Sequence, residues 1–110
     1  MKRFVLLEHD HPQGRHWDLM LETEDSLATW ALPAVPEIGC RLEAVQLPDH
    51  RLKYLDYEGP ISENRGAVVQ TDAGRYATLE RTDTQIEVEL RGRVLSGVVR
   101  LVRLDPASSD

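Results

Sequence analysis

The alternation of apolar and polar residues is the feature that most constrains the fold of this chain. Trp17, Leu19 and Leu21 alternate with polar neighbours, and the same period of two returns in segments punctuated by Gly, Pro and Asp. This period is typical of strands with one buried face, whereas an amphipathic helix repeats its apolar residues every three or four positions. The sequence therefore predicts a mostly β protein.

Short strands and tight turns are expected along the chain. The predicted strands cover residues 3–7, 16–22, 27–32, 41–47, 67–71, 75–81, 85–90 and 93–104. Asp72-Ala73-Gly74 is predicted to be a hairpin turn, and residues 48–65 follow no regular pattern. Seven or eight short strands with little helix favour a small, closed or nearly closed antiparallel β-barrel.

The length and composition fit one folded domain. The chain has 110 residues, of which 41% are hydrophobic and 29% charged, as in ordinary globular domains. We predict a single domain over residues 1–104 and a flexible tail over residues 105–110. Cys40 is the only cysteine, so no intrachain disulfide can form, which favours a cytoplasmic protein.

The charge and the short apolar runs exclude some partners. A net charge of -6 argues against unspecific coating of nucleic acid, so any contact with phosphates is expected to be local. The apolar runs are only a few residues long, which excludes a membrane span. A monomer is favoured, although the sequence leaves the oligomeric state open.

A cluster of histidines is the strongest chemical signal. The stretch HDHPQGRHWD, residues 9–18, holds three of the four histidines and two aspartates. On a strand, His16 and Asp18 share one face, and His9 is expected just beyond the preceding strand. Two imidazoles and a carboxylate with open positions suit a catalytic Mn²⁺ or Zn²⁺ site. The alternative is a polar loop that faces water.

A second polar stretch, residues 49–60, combines the fourth histidine with cations and phenols. His50, Arg51, Lys53 and Tyr54 lie within it, and Arg65 follows closely. Arginine and lysine at this density could form a small positive rim for phosphate oxygens. Taken alone, the stretch is more typical of a polar crossover loop.

Together these motifs resemble the 3′-phosphoesterase domain family of bacterial DNA ligase D, and the chain is similar to its free-standing members. The matching segments, spread over almost the whole chain, are Phe4-Val5-Leu6, Glu8-His9-Asp10, His16-Trp17-Asp18-Leu19, Leu21-Glu22, Trp30-Ala31-Leu32-Pro33, Asp49-His50, Tyr54, Asp56-Tyr57-Glu58-Gly59 and residues 97–103. The resemblance implies a β-barrel that binds Mn²⁺ and trims the 3′ end of a primer strand, first removing a terminal ribonucleoside and then the remaining phosphate.

The resemblance also implies roles for individual residues. His9, His16 and Asp18 would hold the metal. His50 would face the phosphate as general acid or transition-state stabiliser, with Tyr54 beside it. Arg41 matches a further phosphate-binding arginine of the family.

Three departures from the family pattern affect this site. Met20 stands where the family has an arginine, and Ala34 stands where it has a lysine. One extra residue between the first two ligand positions makes His11 compete with His9 as the ligand. Candidates to compensate for the missing cations are Arg15, Arg51, Lys53 and Arg65.

Three functions are compatible with these features. The first is a metal-dependent 3′-phosphoesterase acting on DNA ends or RNA–DNA primer-templates, with a separate DNA ligase or polymerase as partner. The second is a non-catalytic module that binds metal or DNA ends and has lost its phosphate clamp. The third is a β-barrel interaction domain whose polar cluster merely faces water.

Overall fold

Eight strands and one short 3₁₀ turn make up the fold. The structure, a computed structural model, describes residues 1–104. The strands are β1 (Lys2–His11), β2 (Gly14–Glu22), β3 (Leu27–Leu32), β4 (Arg41–His50), β5 (Gly59–Pro60), β6 (Ala67–Arg81), β7 (Gln85–Gly92) and β8 (Ser96–Arg103), and the 3₁₀ turn is Leu52–Leu55. The mostly β class with little helix is confirmed.

Seven of these strands close into a barrel. Their order is β1-β2-β3-β4-β8-β7-β6, and β6 pairs with β1 to complete the ring, while β5 adds to β6 as an extra strand. The β4–β8 pair is parallel and the others are antiparallel. An odd number of strands cannot alternate in direction around a closed ring, so one parallel pair is unavoidable. The closed barrel is therefore confirmed, and its expected antiparallel character is corrected at this one pair.

The barrel interior holds the larger apolar core, to which all seven strands contribute. Its buried members include Phe4, Leu6, Leu19, Leu21, Trp30, Leu32, Ala44, Val88, Leu90, Val99 and Leu101, with Tyr76 of β6 packed against them. Such burial of apolar side chains is the main favourable contribution to folding.

A second apolar cluster covers the outer face of the barrel wall. Val5, Leu7, Met20, Leu27 and Val68 pack beneath Leu55 of the 3₁₀ turn, with Tyr54, Tyr57 and Ile61 at the edge. β1 is therefore buried on both faces, which explains its uninterrupted run Phe4-Val5-Leu6-Leu7. The predicted metal ligands of β1 and β2, which are His9, His16 and Asp18, lie on the outer face, where this cluster ends.

The predicted turn at Asp72-Ala73-Gly74 is wrong, because β6 runs through it as one strand of 15 residues. The Asp72 carboxylate is fully buried and accepts the N–H groups of Ala73, Arg93, Val94 and Leu95 at 2.8–3.1 Å. Asp72 thus fixes the turn between β7 and β8. Gly74 permits close strand approach, because a Cβ there would lie 2.0 Å from the Arg91 carbonyl oxygen.

Some predicted boundaries shift without changing the fold. β1 extends to His11, so His9 lies within the strand. β8 begins at Ser96, and the irregular stretch contains the 3₁₀ turn and β5. The predicted flexible tail lies outside the described residues. Among residues 1–104, no helix is long and apolar enough to span a membrane.

Candidate metal centre

The β1–β2 hairpin brings the three predicted metal ligands together. His9 and His16 are direct partners in the antiparallel ladder, and Pro12 and Gln13 form the turn between the strands. The two imidazole centroids are 4.7 Å apart. Asp18 projects from the same face of β2 as His16, as strand alternation requires. One potential ligand atom from each residue lies within 4.8 Å of the other two.

The carboxylate of Asp18 is buried between the two imidazoles. Its Oδ2 lies 3.4 Å from Nδ1 of His9, its Oδ1 lies 3.1 Å from Nε2 of His16, and its side chain is only 4% exposed. The approach of His16 lacks hydrogen-bond geometry, so Oδ1 is buried with no hydrogen-bond partner within residues 1–104. A buried charged oxygen without a partner is costly. A divalent cation would satisfy it, so the donor set fits a metal.

A main-chain contact selects the tautomer of His9. Its Nε2 lies 2.6 Å from the carbonyl oxygen of Arg65. A carbonyl oxygen only accepts, so Nε2 carries the hydrogen and donates it. The Nδ1 lone pair is then left on the side of Asp18. Metal-binding histidines commonly donate their second nitrogen to a carbonyl in this way.

His11 occupies a different position from His9. Its Nδ1 accepts the N–H of Gln13 at 3.0 Å, and its ring meets the His9 ring edge-on at 5.4 Å between centroids. It does not belong to the group of converging ligand atoms. Of the two candidates that the sequence left open, the geometry favours His9 as the ligand.

A tight loop over residues 61–66 carries the Arg65 carbonyl to His9. The loop is closed by the N–H of Ile61, which donates to the Gly66 carbonyl at 2.7 Å. Gly66 has a φ of 86°, and a Cβ on it would lie 1.9 Å from the main-chain oxygen of Asp10. Only glycine allows this approach to β1. The loop therefore fixes the contact that orients His9.

Two members of the cluster line a cavity together with part of the second predicted set. The cavity, of about 80 Å³, is lined by His9, Asp18, His50, Tyr54 and Arg65, whereas His16 does not line it. His50, Tyr54 and Arg65 also line a wider groove of about 410 Å³. The cavity and the groove therefore lie side by side.

His50 and Tyr54 lie at the junction of cavity and groove. Nδ1 of His50 donates to the Pro48 carbonyl oxygen at 2.9 Å, because that oxygen can only accept. Nε2 is then the nitrogen available for proton exchange. The Tyr54 ring meets the His50 ring edge-on at 5.9 Å between centroids. The arrangement places an imidazole and a phenol in the lining that they share with His9 and Asp18.

Three of the five predicted phosphate-binding residues gather at this groove. Arg51, Lys53 and Arg65 line it, and the Lys53 ammonium lies 5.3 Å from the Tyr54 ring centroid. The positive rim is local in a chain whose net charge is -6.

The other two predicted phosphate-binding residues lie elsewhere. Arg15 is paired with Glu8 at 3.0 Å, on the strand face opposite His16. Arg41 begins β4 opposite Arg100 of β8, and it lines neither the cavity nor the groove. The structure therefore does not bring Arg15 or Arg41 to this cavity.

The two positions where a family cation is replaced, Met20 and Ala34, differ in location. Met20 is 1% exposed and lines the cavity, where it belongs to the outer apolar cluster. Ala34 is exposed in the loop between β3 and β4. Only Met20 changes the chemistry of the cavity itself, because it places an apolar side chain beside Asp18.

An ion pair holds the segment that contains the 3₁₀ turn and covers the outer apolar cluster. The guanidinium of Arg3 donates to Asp56 at 2.7 Å, just after the 3₁₀ turn. This hydrogen bond lowers the pKa of the Asp56 carboxyl below its usual value. The contact ties the end of the covering segment to β1.

Together these features define a class: a small closed β-barrel with a histidine–aspartate cluster on its outer wall, beside a cationic groove. The model of the DNA ligase D 3′-phosphoesterase domain matches residues 7–103. The chain belongs to this family.

Three relatives illustrate the similarity. The multifunctional non-homologous end joining protein LigD of Pseudomonas aeruginosa is 32% identical over 92% of this chain. The LigD proteins of Mycobacterium tuberculosis, named as a DNA repair protein, and of Mycolicibacterium smegmatis are 33% and 32% identical over 91% and 92% of this chain. The matches cover 13%, 14% and 15% of these relatives, in the order given. The chain thus corresponds to a small part of much longer proteins.

Proposed function

We propose that this protein is a metal-dependent 3′-phosphoesterase that heals the 3′ ends of nucleic acid in DNA repair, removing a terminal phosphate or ribonucleoside. The observation that carries the proposal is the Oδ1 of Asp18, which is buried between His9 and His16 and has no hydrogen-bond partner within residues 1–104. Asp18 and His9 line a cavity that His50 and Tyr54 also line. The family and the end-joining names of the relatives support the same substrate class.

Nδ1 of His9, Nε2 of His16 and the carboxylate of Asp18 would hold the metal. Two imidazoles and one carboxylate suit a divalent transition metal, and we propose Mn²⁺, with Zn²⁺ as the alternative. When bound, such an ion supplies charge that attracts a phosphate oxygen and offsets the charge developing at phosphorus. Arg65, through its carbonyl, keeps His9 in the tautomer that this role requires.

His50 would act as the general acid. In hydrolysis of a 3′-phosphate, water adds to phosphorus and gives up a proton to solvent, the bond from phosphorus to the 3′ oxygen breaks, and that oxygen takes a proton. The Pro48 carbonyl holds Nδ1–H of His50, so Nε2 is the nitrogen that gives the proton. Tyr54, edge-on to the His50 ring, would position the phosphate beside it.

The groove would hold the strand that ends in the reacting phosphate. Arg51 and Lys53 line it beyond the cavity and could contact backbone phosphates. The proposed partner is therefore the 3′ end of DNA or of an RNA–DNA primer-template. A separate DNA ligase or polymerase, and a cytoplasmic location, remain predictions from the sequence.

Phosphate release from a primer-template with a 3′-phosphate tests the proposal. With Mn²⁺, the wild-type protein should release inorganic phosphate, and His16→Ala should lose this activity because one ligand is missing. His11→Ala is the matched control and should retain it, since His11 lies outside the cluster. Wild-type release no greater than that of His16→Ala would refute the function.

Met20 favours a second candidate, a non-catalytic module that binds metal or DNA ends. Its buried thioether lines the cavity and cannot make a charge-assisted contact to phosphate. This candidate predicts Mn²⁺ binding by calorimetry and gel shifts on recessed ends without turnover. Turnover that depends on His16 would exclude it.

A further inference from the structure

We infer that Arg65 positions the substrate phosphate with its guanidinium while its carbonyl orients His9, so that one residue serves both the phosphate and the metal ligand. The inference rests on the proposed function, which it extends to a residue of the 61–66 loop. Arg65 borders both the cavity and the groove, and it is the only lysine or arginine that lines the described cavity.

The guanidinium is held in place by its own loop. Nε of Arg65 donates to the Ser62 carbonyl oxygen at 2.9 Å, and Nη2 donates to the Ser62 hydroxyl at 3.3 Å. The nearest ion-pair partner, Glu63, lies 4.0 Å away and is exposed. A side chain fixed in this way loses less conformational entropy when it binds an anion.

Part of the guanidinium is left for a ligand. Within the described part of the chain, Nη1 of Arg65 donates no hydrogen bond. Arginine has five N–H donors in a planar fork that matches phosphate oxygens. Because Arg65 shares the lining of the cavity and of the groove with His50 and Tyr54, its remaining donors suit an oxyanion that reaches the cavity from the groove.

The backbone conformation fixes both ends of the residue. Glu63 and Asn64 have φ values of 64° and 57°, and Gly66 approaches β1 too closely for any side chain. The carbonyl of Arg65 therefore meets His9 at 2.6 Å while its side chain turns back to Ser62. Replacing the side chain alone leaves the carbonyl contact, which makes the two roles separable by mutation.

The test compares Arg65→Met with Arg91→Met, a control that removes an exposed arginine paired with Glu89 outside the cavity and the groove. On a 3′-phosphate primer-template, Arg65→Met should lower kcat/KM by about 10- to 100-fold, as expected for one charge-assisted contact. Arg65→Lys should restore part of this loss. Mn²⁺ affinity by calorimetry should stay at the wild-type value in both methionine variants, because the main chain is unchanged.

Inorganic phosphate provides a readout that needs no turnover. In the Mn²⁺-loaded protein, added phosphate should raise the melting temperature of the wild type and of Arg91→Met, and should raise that of Arg65→Met much less. Equal phosphate effects and equal kcat/KM in the two methionine variants would overturn the inference and leave the function intact. Loss of Mn²⁺ affinity in Arg65→Met would also overturn it.

The failure of the proposed function would look different. In that case the wild type would release no phosphate from the primer-template, yet phosphate would still stabilise it in an Arg65-dependent manner.

Discussion

Two buried aspartates lie on either side of β1. They show that the same type of side chain can stabilise the fold in one place and indicate a functional site in another. Asp18 pairs with Leu7 from β2, and Asp72 pairs with Leu6 from β6. Both are almost completely buried. Asp72 accepts four main-chain N–H groups, whereas Asp18 has one oxygen, Oδ1, without a hydrogen-bond partner among residues 1–104.

The difference teaches how to recognise a site on a small barrel. A carboxylate whose partners all belong to the main chain stabilises the fold and has no capacity left for a ligand. A carboxylate that is buried beside two imidazoles and remains unsatisfied is costly to the folded state alone. A bound cation, as in the proposed function, would offset this cost.

The largest expected effect is on stability without metal. In chelator, Asp72→Asn should lower the free energy of unfolding by about 3–5 kcal/mol, because it replaces a charged acceptor of four N–H groups. Asp18→Asn should stay within about 1 kcal/mol of wild type or stabilise the protein, because it removes a buried charge whose Oδ1 has no hydrogen-bond partner within residues 1–104. Urea denaturation of both variants measures this contrast. An equal loss of stability in the two variants would remove the distinction between the carboxylates.

The next effect concerns the loop that supports His9. Gly66→Ala would force the loop away from Asp10 and break the contact between His9 and the Arg65 carbonyl, so Mn²⁺ affinity should fall about 10- to 100-fold. Gly39→Ala is the matched control, since Gly39 has a similar φ of 83° but no atom within 4 Å of its added Cβ. It should bind Mn²⁺ like the wild type in calorimetry. Unchanged affinity in Gly66→Ala would show that His9 needs no such support.

The smallest effect is expected at the exposed pair of Arg3 and Asp56. Its hydrogen bond lowers the pKa of Asp56, so the stabilisation is present above the usual carboxyl pKa of about 3.9 and is lost as the pH falls through the lowered value. Asp56→Asn should lower the melting temperature slightly at neutral pH, and the difference should disappear in strong acid or high salt. Asp83→Asn, in the exposed turn between β6 and β7, is the control. A difference that grows in acid would contradict the assignment.

Local patterns predicted most of the fold. The alternation of Trp17, Leu19 and Leu21 with polar residues placed β2 and its faces correctly, because strand geometry depends only on neighbouring residues. The turn predicted at Asp72 is wrong because three of the four hydrogen-bond partners of this carboxylate lie 21–23 residues away, beyond any local turn signal. The parallel β4–β8 pair follows from the strand number around the ring, which the sequence left at seven or eight.

Part of the candidate site could also be predicted from local patterns in the sequence. His16 and Asp18 share a face by strand alternation, and hairpin pairing places His9 opposite His16. The choice between His9 and His11 needed the main-chain oxygen of Arg65, and no residue type reveals where a carbonyl points. The position of Arg41 depended on the long-range pairing of β4 with β8, which the sequence pattern does not encode.

The histidine–aspartate cluster lies on the outer face of the barrel wall, next to the segment that covers the outer apolar cluster, and not within the barrel. The packing of the interior and the chemistry of the groove therefore depend on largely separate sets of side chains. We expect that exchange of the segment between β4 and β6 for that of another family member would change which substrates the groove accepts. The apolar interior of the barrel would stay the same. In a barrel of this kind, the residues on the outer surface can change while the fold stays the same.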